Sequence, residues 1–166
     1  MSFFRHLIVL SFLGLATANM LSCQEPKKYN IPAPGGYVSD FEKLLSDRQK
    51  KHLDSAILAF EKATTGQISI VTIDTPMVAR KNFDDYVFQI ANAWGVGHKG
   101  KDNGVIVGIS KGYRMMRIDV GVGFENRLSD QDCKMIIDTA FIPSFKKGLY
   151  FDGISRGLQA IIKKLQ

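Results

Sequence analysis

Five side chains carry the oxygen atoms that could do chemistry: Asp40, Asp102, Asn103, Asp119 and Glu125. Carboxylate and amide oxygens are the ligands that hard cations such as Ca²⁺ and Mg²⁺ prefer. An ion held among them would polarise a phosphoryl oxygen and activate water. Asp102, Asn103, Asp119 and Glu125 fall in one stretch, residues 95–125, which reads GVGHKGKDNGVIVGISKGYRMMRIDVGVGFE. A second reading of the same residues is structural. Asp102 and Asn103 would cap a turn, as such residues commonly do, Asp119 would face solvent and Glu125 would cap a helix. Lys99 and Lys101 would bind phosphate on the first reading and keep the loop soluble on the second.

Other chemistries lack their residues. Gly95, Gly97 and Gly100 satisfy G-x-G-x-x-G, and with Lys101 most of a P-loop, but Asp102 stands where the P-loop needs Ser or Thr. Both motifs also need a strand before the glycines and a helix after them, whereas here a helix ends and a strand begins. Nucleotide binding is therefore not expected. A Cys-x₅-Arg phosphatase would need arginine where Thr139 sits, and Asp74 is followed by Thr75-Pro76 rather than by a second aspartate. His6, His52 and His98 are scattered, so zinc is not expected. Cys133 falls in a helical pattern and reads as a small buried hydrophobe.

The elements that must position these residues follow from periodicity. Ser46 to Gln49 form a capping box, and Leu53, Ile57 and Phe60 then mark one helical face through about Thr64, with Gly66 as the expected C-terminal cap. Residues 68–73 form a strand rich in β-branched residues. Asn82 with Asp85 caps a second helix, whose core face is Phe83, Val87, Ile90 and Trp94 and which Gly95 ends. Residues 105–109 are a nearly continuous apolar strand, as expected when both faces are covered. The chain turns at Lys111-Gly112 and returns as a strand over 113–120. A third helix starts at Ser129 with Asp132 in its cap, limited or kinked by Pro143, and a last helix runs from about Tyr150. The order implies helices on both faces of a small mixed sheet, its first two strands parallel and its third antiparallel.

The chain has 166 residues and a formal charge of +6, with lysine pairs dispersed rather than blocked. One globular domain with a leader is expected. Nucleic-acid binding is not expected. Residues 1–22 combine a basic start at Arg5 with an apolar run over 7–15, too short for a bilayer span, and read as a signal peptide. Met20-Leu21-Ser22-Cys23 resembles the lipobox of bacterial lipoproteins, in which the cysteine is acylated. The alternative is ordinary signal cleavage nearby. Residues 23–36, rich in Pro and Gly, read as a tether, and residues 37–166 as the domain.

The landmarks together resemble the TPM-domain family of exported bacterial and chloroplast proteins. They are Val38-Ser39-Asp40, Thr65-Gly66-Gln67-Ile68, Trp94-Gly95-Val96-Gly97 and Gly100-Lys101-Asp102-Asn103-Gly104-Val105. After the hairpin come Arg117 to Glu125, then Ile142-Pro143-Ser144-Phe145 and Gly148-Leu149-Tyr150. The resemblance spans roughly residues 37–162 and implies a three-layer α/β/α sandwich outside the cytoplasm. The family carries a phosphatase label, while plant members are associated with repair of photosynthetic membrane complexes and an animal member is a receptor subunit. Many bacterial members continue into a transmembrane helix and a glycine-rich tail. This sequence stops at Gln166, and lipidation at Cys23 is the expected anchor.

Two functions are therefore expected. The first is a membrane-anchored, exported accessory protein on the periplasmic or cell-surface side of a bacterial envelope, which assists assembly, repair or turnover of a membrane-protein client. The second is a metal-assisted phosphomonoesterase using Ca²⁺ or Mg²⁺. For the second, the hairpin should bring Asp102 and Glu125 to one edge of the sheet, with Asp40 approaching from the segment before the first helix.

Overall fold

The computed structural model describes residues 29–166. Cys23 and the leader lie outside the described residues. A four-stranded sheet of order β1-β2-β3-β4 forms the middle layer, from β1 (Val38–Asp40), β2 (Gln67–Thr72), β3 (Gly104–Ser110) and β4 (Met115–Val120). β1, β2 and β3 are parallel, and β4 returns antiparallel to β3. The three-residue β1 adds a parallel strand to the two expected. Three residues are too few to show an alternation, so its strand character comes from pairing with β2.

Among the described residues five α-helices cover the sheet: α1 (Asp47–Thr64), α2 (Phe83–Trp94), α3 (Asp130–Ile136), α4 (Ile142–Phe145) and α5 (Tyr150–Leu165). Ile57 and Phe60 of α1, Ile136 of α3 and Ile154, Leu158 and Ile161 of α5 bury against Ile68, Ile70, Val105 and Val107 on one face. Phe83, Tyr86, Val87 and Ile90 of α2 bury with Val71 and Ile106 on the other. This is the three-layer α/β/α sandwich. Every residue of β3 is buried, because helices cover both of its faces. Among the described residues no helix is long and apolar enough to cross a membrane.

Both capping boxes form: Ser46 accepts from the Gln49 N–H at 3.3 Å, and Ser129 from the Asp132 N–H at 3.2 Å. Elsewhere the local signals yield to packing. Thr65, with φ 63°, is the left-handed cap of α1 in place of Gly66. Gly66 serves another need, since a Cβ there would stand 2.3 Å from the Phe124 ring. Asp85 accepts from the Tyr29 hydroxyl at 2.6 Å, and no side-chain cap bond forms at Asn82. The described part of the expected tether lies along α2: the Trp94 Nε1–H donates to the Pro32 carbonyl at 2.8 Å, and the Tyr86 hydroxyl to Asn30 at 3.1 Å. Pro143 does not end the third helix. A π-helical segment, Ile137–Phe141, leads into α4, absorbing the turn that a proline without an N–H cannot complete.

Candidate functional site

The loop before β3 is built by its own polar groups. The buried Asn103 accepts from the His98 N–H at 3.0 Å and donates to the Thr65 carbonyl at 2.9 Å. Gln67 accepts from the Gly97 N–H at 2.8 Å. The segment after β4 packs directly on this loop: the Gly121 N–H donates to Gly104 at 2.8 Å and the Gly123 N–H to Asp102 at 3.1 Å. A Cβ at Gly121 would lie 2.0 Å from the Asp102 carbonyl, so only glycine permits the approach. Antiparallel return of the hairpin thus brings the two loops to one edge of the sheet.

Asp102, Asp119 and Glu125 line one cavity there, about 320 Å³ in volume, between α2 and the end of β4. Asp102 and Glu125 are exposed, and Asp119 is half-buried. Asp119 sits opposite Ile106, on the side of the sheet that α2 covers. Its Oδ1 accepts from Arg117 Nε at 2.5 Å, while its buried Oδ2 has no hydrogen-bond partner among the described residues. Burial raises the Asp119 carboxyl above the ordinary carboxylate range, the Arg117 guanidinium opposes this, and the Asp84 and Asp130 carboxylates add to the rise. Across the cavity mouth stand two exposed apolar side chains, Phe88 at 49% and Val122 at 70% exposure.

The other two expected ligands are elsewhere. Asp40 ends β1 beside Thr72, at the carboxyl edge of the parallel strands, whereas Asp102 precedes β3 at their amino edge. Its Oδ1 accepts from the Leu44 N–H at 3.1 Å and the Thr72 hydroxyl at 2.6 Å, and its Oδ2 from the Leu45 N–H at 2.8 Å. Asp40 therefore organises the chain leading into α1 and does not approach Asp102. Asn103 engages both ends of its amide, one with the His98 N–H inside the loop and one with the Thr65 carbonyl at the end of α1. Glu125 lies before the helix that Ser129 caps. Among the described residues no three Asp, Glu, His or Cys side chains form a group that could hold a metal ion. The three groove carboxylates share a cavity without a ready-made ion cage. The orphaned Asp119 Oδ2 is a buried carboxylate oxygen, of the kind an oxygen-seeking cation takes.

Cys133 is buried on α3, and burial, aided by the Asp130 and Asp132 carboxylates, pushes its thiol up to about 11. His52 packs edge-on against the Phe151 ring at 5.8 Å. Neither lines the groove. Sequence reasoning missed Arg117, Phe88 and Val122. Arg117 was legible only as the polar alternate of β4, and the exposure of the other two depends on where α2 crosses the sheet.

The sequence model described as the TPM domain matches residues 38–164. The chain belongs to the TPM domain family. Among solved structures, this TPM domain is similar to the N-terminal domain of a P. gingivalis protein, with 29% identity and a TM-score of 0.70 over 78% of this chain and 81% of that one. The BA42 protein of the psychrophilic bacterium Bizionia argentinensis shares the fold at 20% identity and a TM-score of 0.63, covering 75% and 83%. The N-terminal domain of the cg2496 protein of Corynebacterium glutamicum shares it at 16% identity and 0.58, covering 86% and 85%. No curated protein matches.

Proposed function

We propose that this TPM domain is an accessory protein of the cell envelope, assisting assembly, repair or turnover of a membrane-protein client by holding an extended segment of it in the groove beside β4. The observation that carries this reading is the groove's composition. Exposed Phe88 and Val122 flank the carboxylates of Asp102, Asp119 and Glu125. Large exposed apolar side chains rimmed by charge mark interaction surfaces. β4 is one of the two edge strands of the sheet, and an edge offers backbone donors and acceptors to an added strand. A client segment with a basic side chain between apolar ones complements this wall. Acylation of Cys23 would hold the domain at the membrane, and the mature protein should then carry a diacylglyceryl group at that residue by mass spectrometry.

Co-purification from detergent-solubilised membranes tests the client reading. One defined membrane protein should accompany the wild type and be lost from Phe88→Asp and Val122→Asp at an unchanged thermal midpoint. Equal recovery with the variants would sink the groove as the binding surface.

The orphaned Asp119 Oδ2 favours a second reading, a metal-assisted phosphomonoesterase. Ca²⁺ or Mg²⁺ would bind at Asp119 and draw in the exposed Asp102 and Glu125 carboxylates, and the ion would supply phosphoryl polarisation and a reactive water. Either ion should then raise the thermal midpoint by mass action, and Asp119→Asn should abolish the rise. Calorimetry showing no binding at about millimolar ion would remove this reading and leave the first intact.

A further inference from the structure

A second cavity lies at the far end of the sheet, at the carboxyl ends of the parallel strands. Open α/β sheets commonly place ligands there. Its volume is about 520 Å³, within the range of roughly 300–1,000 Å³ typical of pockets that enclose one small molecule. Ile109, Met116, Ile142 and Phe145 supply hydrocarbon and thioether walls. Lys111, Arg114 and Lys146, all exposed, contribute three cations to its lining, and Tyr150 adds a ring that the Lys111 ammonium overlies at 5.6 Å.

The walls are held by packing that the rest of the fold requires. The π-helical segment delivers Phe141 onto Gly157, where a Cβ would meet the ring at 2.0 Å, and α4 carries Phe145 onto Gly153, at 2.6 Å. Phe145 also packs on the Tyr150 ring, with centroids 5.1 Å apart. On the opposite wall the hairpin turn is fixed by Glu42, which accepts from the Lys111 and Gly112 N–H groups at 2.8 and 3.0 Å. Arg114 takes a left-handed backbone, φ 53°, to re-enter β4.

Two acids stand near these cations, Glu42 and Asp74, in an adjoining crevice that Lys111 and Arg114 also line. Glu42 is engaged with backbone amides, and Asp74 accepts from the Thr75 N–H at 2.8 Å. No ion pair joins either acid to Lys111, Arg114 or Lys146 among the described residues. The three cations thus line the cavity without an ion pair, Lys111 lying over the Tyr150 ring.

We propose that this cavity binds a single-chain anionic amphiphile, a long-chain carboxylate whose acyl tail lies against Ile109, Met116, Ile142 and Phe145 and whose head meets Lys111, Arg114 and Lys146. The charge complementarity selects an anion, and the apolar walls select a tail. An acyl chain asks no hydrogen bonds of such walls, whereas a peptide backbone would. Free phosphate would gain nothing from them. The site is separate from the acidic groove and does not depend on the function proposed for it.

Calorimetric titration of the full chain with dodecanoate, below its micelle concentration, tests the proposal. Saturable one-to-one binding is expected, weakened at least about tenfold per charge in Lys111→Glu, Arg114→Glu and Lys146→Glu, as for loss of a charge-assisted contact. Unchanged thermal midpoints of these surface variants would show that they fold. Dodecyltrimethylammonium, with the same tail and the opposite charge, should bind at least about tenfold more weakly. The proposal is overturned by equal binding of that cation, by unchanged affinity in the reversed variants, or by inorganic phosphate binding as tightly. Binding confined to anionic phospholipid vesicles would make the feature a membrane-facing patch, and tighter binding of an apolar peptide with a free carboxyl terminus would make it a peptide site. Either result would also overturn the proposal.

Discussion

Burial raises the Asp119 carboxyl while Arg117, at 2.5 Å, opposes the rise. The folded carboxyl therefore holds its proton to higher pH than the unfolded one, and between the two values the folded state binds more protons. The stability this group contributes is full below the unfolded value and is lost as pH rises through the folded one. Asp119→Asn removes that loss. Denaturant midpoints measured from about pH 4 to pH 7 should fall more steeply for the wild type than for Asp119→Asn. Parallel curves would show that Arg117 cancels the burial. At Cys133 the thiol, pushed up to about 11, stays protonated near neutrality, and only the thiolate attacks. Alkylation by iodoacetamide near neutral pH should be slow in the folded protein and fast in denaturant, and Cys133→Ser should leave any phosphomonoester hydrolysis unchanged. Fast labelling of the folded chain would contradict the burial argument.

At the scale of elements, close backbone approaches join the two loops of the groove. Gly121 is pinned, because its N–H donates to Gly104 while its Cα faces the Asp102 carbonyl. A methyl group there displaces main chain rather than a flexible side chain, so Gly121→Ala should cost about 2 kcal/mol or more. Gly100, with φ +80° and nothing within 4 Å of an added Cβ, meets only backbone strain. Gly100→Ala should cost about 1 kcal/mol. Denaturant titration that ranked the two the other way would overturn the packing account. Elements built from neighbours in sequence were the legible ones. The boxes at Ser46 and Ser129 and the faces of α1, α2 and α5 are local patterns. Thr65 is the cap of α1, and Gly66 instead leaves room for Phe124, far along the chain. β1 was invisible because three residues acquire strand character only from their partner.

Across the whole molecule the sheet separates two cavities of opposite charge, carboxylates at the amino edge of the parallel strands and cations at the carboxyl edge. The meeting of Asp102 and Glu125 at one edge could be read from the sequence, because a hairpin must return to where it began. The place of Asp40 could not, since the parallel pairing of β1 sends its end to the opposite edge. The structural use of the Asn103 amide could not be read either, since one partner, the Thr65 carbonyl, lies 38 residues away. The separation itself is testable. Asp119 pairs with Ile106, five residues before Lys111, and five residues of strand at about 3.3 Å each put the two positions roughly 16 Å apart. That exceeds the Debye length of about 8 Å at physiological salt. Asp119→Asn and Lys111→Glu should therefore change stability additively, within about 0.5 kcal/mol, in a double-mutant cycle. Dodecanoate affinity should likewise be the same in the wild type and in Asp119→Asn. A coupling above about 1 kcal/mol would mean that the sheet transmits a rearrangement from one edge to the other, and the two cavities would then have to be treated as one device.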